Sequence, residues 1–286
     1  MNHLSKSTGF TLIELVTVIV LLGILSVGIS GFLKIGSEMF VDVKNRSEIV
    51  ATARFAMERL NRELRSALPN SVVSNPTTGF DSSEIQCIQY TPILSAAHYL
   101  DIPTVDANEL ENNTLSVIEF NLNGLVLVGT SDVRVVVYPI KSADIYDTSS
   151  NKTWLLENAT LDESQAVGNS KQWDINFSNN VLFEADSPTR RLYFIDNKVS
   201  YCVRRTELKR FVGNNPLDEA NPATFFNNNG VLMATDLLFD TASGEYPFRI
   251  SEATQSRNSM ALIKLIFSRN GESVVFNNEV HIPNAP

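Results

Sequence analysis

From Phe10 to Leu33 the chain runs for 24 positions with a single charged side chain, the carboxylate of Glu14. At 1.5 Å per residue a helix of that length is about 36 Å long, enough for a bilayer core of roughly 30 Å. The segment can span a membrane. A carboxylate there costs roughly 2.5 to 3.5 kcal/mol on insertion scales, so a chain that keeps one is expected to use it. A secretory signal peptide has an apolar core of only about 7 to 15 residues with a small-x-small site behind it. Here the small-residue junction, Thr8-Gly9, lies in front of the apolar run. Cleavage at that point would remove a polar leader and leave the anchor attached. The leader's one formal charge, Lys6, favours a cytoplasmic N-terminus. The simpler alternative is an ordinary signal-anchor whose Glu14 lies near enough to the interface to be hydrated.

From Ile35 to Leu68 the pattern becomes amphipathic. Val50, Ala53, Met57, Leu60, Leu64 and Leu68 recur at spacings of three and four, which marks one helical face. Glu58 and Arg62 have the favourable i, i+4 orientation, and Pro69-Asn70 ends the pattern. Anchor and stem together predict one helix from Phe10 to about Leu68, close to 88 Å long. Its apolar stripe packs either on the chain's own head or on another subunit. Gly23, Gly28, Gly31 and Gly36 each soften the helix by up to about 1 kcal/mol relative to alanine. They permit partial melting on assembly, or close helix packing through small residues.

The remainder, residues 69–286, has the periodicity of strands. Leu115 to Leu122, Val133 to Tyr138, Arg191 to Ile195, Lys198 to Val203, Met260 to Phe267 and Ser273 to His281 are rich in β-branched and aromatic residues. Asn123-Gly124 and Asn270-Gly271 favour type I′ hairpins, in which both central residues need positive φ. Asp196-Asn197 and Arg205-Thr206 punctuate a three-strand meander over Arg191 to Val212. Asn70 to Gly79, Ser142 to Asn151 and Gly213 to Gly230 read as loops, the last holding Phe225-Phe226 as either a docking surface or an anchor to the core. The fold class is α+β, a long N-terminal helix followed by a mainly antiparallel β head.

Charge is divided unevenly. Residues 34–68 carry a net +2 and residues 69–286 a net −11. So acidic a head repels phosphate backbones, and no nucleic-acid partner is expected. Arg204, Arg205, Lys209 and Arg210 form a local basic cluster, either an exception or a solvated sheet face. Cys87 and Cys202 both fall in strand-like runs. An oxidising compartment would allow them a disulfide, and otherwise they are buried thiols.

No signature of catalysis is present. His3, His98 and His281 are isolated, and there is no His-Glu-x-x-His, Gly-x-Ser-x-Gly, phosphate-binding glycine loop or Cys-x-x-Cys. The chain reads as non-enzymatic, with no cofactor. Asp101, Asp106, Glu109 and Glu111 offer hard oxygen ligands, but their spacing does not match an EF-hand loop, and a solvated acidic loop accounts for them better than calcium.

The run Lys6-Ser7-Thr8-Gly9-Phe10-Thr11-Leu12-Ile13-Glu14-Leu15 resembles the class III signal of type IV prepilins and type II secretion pseudopilins. The resemblance implies that a prepilin peptidase cuts between Gly9 and Phe10 and methylates the new amine of Phe10. It also implies that Glu14 docks against that amine on a neighbouring subunit. The divisions that follow are a leader, 1–9; a transmembrane and assembly helix, 10–34; an amphipathic stem, 35–68; and a periplasmic head, 69–286. Major pilins commonly carry proline where this chain has Gly31, which leaves a weaker helix break.

Two further stretches resemble particular branches. Lys198 to Val203 with Glu207-Leu208-Lys209-Arg210 is similar to a strand-turn-strand of J-type pseudopilins and related minor pilins. Glu279 to Pro286 is similar to endings in MshO-type minor pilins of the mannose-sensitive haemagglutinin (MSHA) pilus. K-type pseudopilins typically lack the glutamate, so a chain that keeps Glu14 resembles a subunit docking beneath another. The resemblance implies an MSHA-type minor pilin that helps initiate or cap fibre assembly, or else a J-type pseudopilin or a tip adhesin. The expected partners are other major and minor pilins, the prepilin peptidase, the inner-membrane assembly platform and, before assembly, the membrane itself. The expected course is single-pass insertion in the inner membrane with a periplasmic head, then a place in the fibre near its tip.

Overall fold

The structure is a computed structural model describing residues 10–105, 111–118, 133–147, 150–156, 161–167, 170–239, 244–251 and 258–282, without the side chains of 161–173 and 178. The chain divides into two compact units, Met1–Ile49 and Val50–Pro286.

The first unit consists, among the described residues, of the opening part of helix α1 (Leu12–Arg65). Thr11 starts it by accepting the backbone N–H groups of Glu14 and Leu15 on its carbonyl. The helix runs through Gly23, Gly28, Gly31 and Gly36 without a break, and a methyl group added at any of the four would touch nothing within 4 Å. Close packing at these glycines is therefore not something one copy of the chain uses.

The second unit begins inside α1. Ala53, Ala56, Leu60 and Leu64 are fully buried and Met57 nearly so, which places the amphipathic stripe on the chain's own head. The helix ends at Arg65, three residues before the expected Leu68. The last turn tightens through Ser66 N–H to Glu63 O and Ala67 N–H to Leu64 O. Leu68 N–H then donates to Thr91 O, and Ala67 bridges Pro92. Sheet-like bonding takes over from the next helical turn, and Leu68 stays buried all the same.

Among the described residues of the head there are three sheets, and their strand pairs are antiparallel. The first has the order β1 (Val73–Asn75), β2 (Ile85–Tyr90), β10 (Val199–Arg204), β11 (Glu207–Val212) and β12 (Val231–Ala234). One face meets α1 through Tyr90 and Arg210. The other carries Ile85, Cys87, Cys202 and Phe211 and packs on Phe226 of helix α3 (Pro222–Asn228). The second sheet has the order β6 (Thr153–Leu155), β5 (Arg134–Val137), β9 (Arg191–Ile195), β3 (Ile93–Tyr99), β4 (Asn112–Ile118), β8 (Ser170–Val181) and β7 (Leu161–Val167). Its core includes Val117, Val135, Ile175, Phe183 and Phe194. The third is β13 (Phe248–Ser251), β14 (Ser259–Arg269) and β15 (Glu272–Ile282). Gln86, fully buried on β2, joins the first sheet to the third: its amide donates to Phe248 O at 2.9 Å and accepts from Phe248 N–H at 3.1 Å.

Several expectations need correction. The three-strand meander over Arg191 to Val212 does not form, because β9 pairs with β3 and β5 while β10 pairs with β2 and β11. Asp196-Asn197 is a crossing between sheets rather than a hairpin turn. Two of the expected loops contain helix. Ser142 to Asn151 includes α2 (Ala143–Tyr146), and Gly213 to Gly230 includes a 3-10 turn, Pro216–Asp218, and α3. Proline at an opening position favours both segments in the second loop, and Asn215 accepts Leu217 N–H at the first. The third expected loop holds β1. The Asn270-Gly271 turn joins β14 to β15 with φ of 53° and 86°, as a type I′ turn requires. Asn123-Gly124 lies outside the described residues, as does the end of the expected Leu115 to Leu122 strand.

Candidate functional site

Glu14 lies in the first turn of α1. Its neighbours Leu12, Ile13 and Leu15 are 81%, 68% and 59% exposed, and Phe10 before them is 76% exposed. The most apolar stretch of this helix is long and apolar enough to cross a membrane and buries none of its residues. Among the described residues, the hydrogen bond on the Glu14 carboxylate comes from the Thr11 hydroxyl, long at 3.4 Å. Thr17 Oγ1 donates to Glu14's backbone carbonyl at 3.0 Å instead. A carboxylate can accept about four hydrogen bonds, so the described residues fill only a small part of this one's capacity. Gly9 lies outside the described residues. Further along, Ile35, Met39, Phe40 and Val43 are exposed beside the i, i+4 pairs Lys34–Glu38 and Lys44–Glu48.

A second carboxylate on the same helix is in the opposite condition. Glu63 is 19% exposed and accepts from the Tyr90 hydroxyl at 2.5 Å, Arg59 Nε at 2.9 Å and Arg210 Nε at 2.9 Å. Burial raises its pKa, but the bonds from Tyr90, Arg59 and Arg210 outweigh that and hold it at about 2. Burial, then the carboxylate, push Tyr90 well above its ordinary value. This cluster fastens the end of α1 to the first sheet. Sequence reading missed it, because Tyr90 is 27 residues away and Arg210 is 147.

The remaining head residues resolve as follows. Cys87 and Cys202 stand directly opposite on β2 and β10 and are joined by a disulfide. Phe226 is buried against Phe211 and Phe225 is partly buried beside it, so the aromatic pair anchors its segment to the core. The basic cluster is engaged: Arg204 bonds Ser83 O and Asn227, Arg205 pairs with Glu84, and Arg210 with Glu63. Lys209 donates to the carbonyls of Phe226 and Asn227. Asp106 and Glu109 lie outside the described residues, and among those described no three His, Cys, Asp or Glu side chains gather as a metal site.

Residues 4–30 match the family model of the prokaryotic N-terminal methylation motif. This supports the pilin and pseudopilin class. A motif of this kind marks a structural, pilin-type protein and implies processing by prepilin peptidase and assembly with other pilins. With the apolar helix, it fits a membrane-anchored pilin with a periplasmic head. No curated protein and no solved structure matches the chain.

Proposed function

We propose that the chain is a minor type IV pilin of the MSHA type that helps initiate or cap fibre assembly. Prepilin peptidase cuts between Gly9 and Phe10, Phe10 becomes the N-methylated first residue, and Glu14 docks against the amine of Phe10 in a neighbouring subunit. The observation that carries this reading is Glu14 itself. It is a carboxylate in an apolar helical stretch that buries none of its residues, and among the described residues it is served by one long hydrogen bond. In a low-dielectric medium it gains far more from a cationic partner than it would in water. Pairing rewards one axial register and penalises a subunit left unpaired in lipid.

Mass analysis of the mature N-terminus is the first test, with methylated Phe10 as the expected result. Retention of Met1, or cleavage at another bond, refutes the reading. Glu14→Ala is expected to be processed normally and to be excluded from fibres, and normal incorporation refutes the docking role. Deletion of the gene separates the branches. Loss of surface fibres marks an assembly role, fibres that no longer adhere mark a tip adhesin, and loss of protein secretion with fibres intact marks a J-type pseudopilin.

A further inference from the structure

Beside the seven-stranded sheet, between α2 and the turn before β6, lies an ion pair that the proposed function does not use. Lys152 Nζ lies 3.2 Å from Asp144 Oδ2, and both side chains are only 3% exposed. Glu184 Oε2 lies 3.6 Å from the same Nζ and is 59% exposed. Placing two opposite charges so deep costs several kcal/mol per ion in lost hydration. A neutral covalent link between them removes that cost.

The local chain is organised for one. Asp144 sits in α2, where its Oδ2 accepts the backbone N–H groups of Ile140 at 2.9 Å and Lys141 at 3.2 Å. Two backbone donors on one carboxyl oxygen are the arrangement that stabilises an oxyanion during acyl transfer. Lys152 is fixed next to β5, its carbonyl accepting Val137 N–H, and Thr153 Oγ1 donates to Asp144 O at 2.7 Å. The ring of Tyr138 lies 5.9 Å from the amine. Groups held this way reach effective molarities of about 10⁵ to 10⁸ M.

We propose that Lys152 and Asp144 condense into an intramolecular amide, with Glu184 carrying the proton. Proton transfer within the pair gives a neutral amine and a carboxylic acid whose proton is carried on Oδ1. The Nζ lone pair attacks Asp144 Cγ, and negative charge develops on Oδ2 against the two backbone N–H groups. Glu184 takes a proton from Nζ and delivers it to Oδ1. The Cγ–Oδ1 bond breaks, one water leaves by the solvent-open side of Glu184, and the Cγ–Nζ bond remains. Nothing is oxidised or reduced. The product staples α2 to the turn before β6, which suits a head that must keep its shape in a fibre under load.

The test is peptide mapping of the full-length protein after reduction and trypsin digestion. The expected product is a single peptide, residues 142–171, uncut after Lys152 and lighter than its sequence mass by one water. Its fragment spectra should join Asp144 to Lys152. Lys152→Arg should restore cleavage and the full mass, and Glu184→Gln should slow linkage about tenfold or more. Cleavage after Lys152 at full sequence mass in the natural chain overturns the proposal. So does a water loss that persists in Lys152→Arg, since that places the dehydration elsewhere. Neither result bears on fibre assembly through Glu14.

Discussion

Replacing Glu63 by glutamine tests whether the cluster at the end of α1 stabilises the head electrostatically. The shape of the side chain is kept and its charge removed, so Tyr90 retains an acceptor while Arg59 and Arg210 lose their counterion. A carboxyl held at about 2 against an ordinary value of 4.5 corresponds to at most about 3 kcal/mol of folding free energy. The sign follows from the direction. Because the folded pKa is depressed, the stabilisation is complete above about pH 4.5, shrinks as pH falls, and is gone by about pH 2. Urea unfolding of the full chain in detergent, followed by tryptophan fluorescence, reads both effects. At pH 7 Glu63→Gln should lower the unfolding free energy by about 2 to 3 kcal/mol. Between pH 4.5 and 2 it should lose less stability than the natural chain. A change at pH 7 under about 0.5 kcal/mol, the usual size for a surface substitution, would refute the electrostatic account. An acid slope identical to that of the natural chain would do the same.

Leu60→Ala removes a fully buried side chain from the stripe that α1 lays on the head, and should cost about 2 to 5 kcal/mol in the same unfolding assay. If the stripe belonged to a contact between subunits, the loss would be small and confined to assembled fibres. Gly230→Ala should destabilise by more than about 1 kcal/mol, because Gly230 has φ of 80° and an added Cβ would lie 2.6 Å from the Phe211 ring. Gly271→Ala, at φ of 86° but with open space around it, should cost less.

The features legible in the sequence were those set by neighbours along the chain. The stem's buried face follows from a spacing of three and four, although the pattern leaves out Ile49 and Ala56, which are buried as well. Asn270-Gly271 gave its hairpin because two residues tolerant of positive φ dictate that turn locally. Asp196-Asn197 carried a similar turn signal yet led to the wrong pairing, since a turn says where a strand ends and not which sheet the next one joins. The helical turns near Pro216 and Pro222 were hidden by composition: asparagine and proline mark loops and helix starts alike. On the stem, Glu58 and Arg62 have the i, i+4 spacing of an exposed pair, but the pair that anchors the helix is Arg59 with Glu63 one residue on. Its importance comes from Tyr90 and Arg210, which only the folded sheet brings near.

One helix thus carries two carboxylates whose surroundings differ in kind. Glu63 receives three donors from its own chain, two of them cationic, and its charge is settled within the second unit. Among the described residues Glu14 receives one hydroxyl at 3.4 Å, with exposed leucine and isoleucine around it. Three short bonds, two of them from guanidinium groups, satisfy a carboxylate far better than one long bond from a neutral hydroxyl, so the two sites differ in how much demand remains unmet. That asymmetry separates their phenotypes. Neutralising residue 63 should weaken the fold in isolated protein and leave N-terminal processing alone, whereas neutralising residue 14 should leave unfolding unchanged and act only on incorporation into fibres. If Glu14→Ala lowered the unfolding free energy as Glu63→Gln does, the carboxylate would be serving its own subunit and the docking role would fall with it.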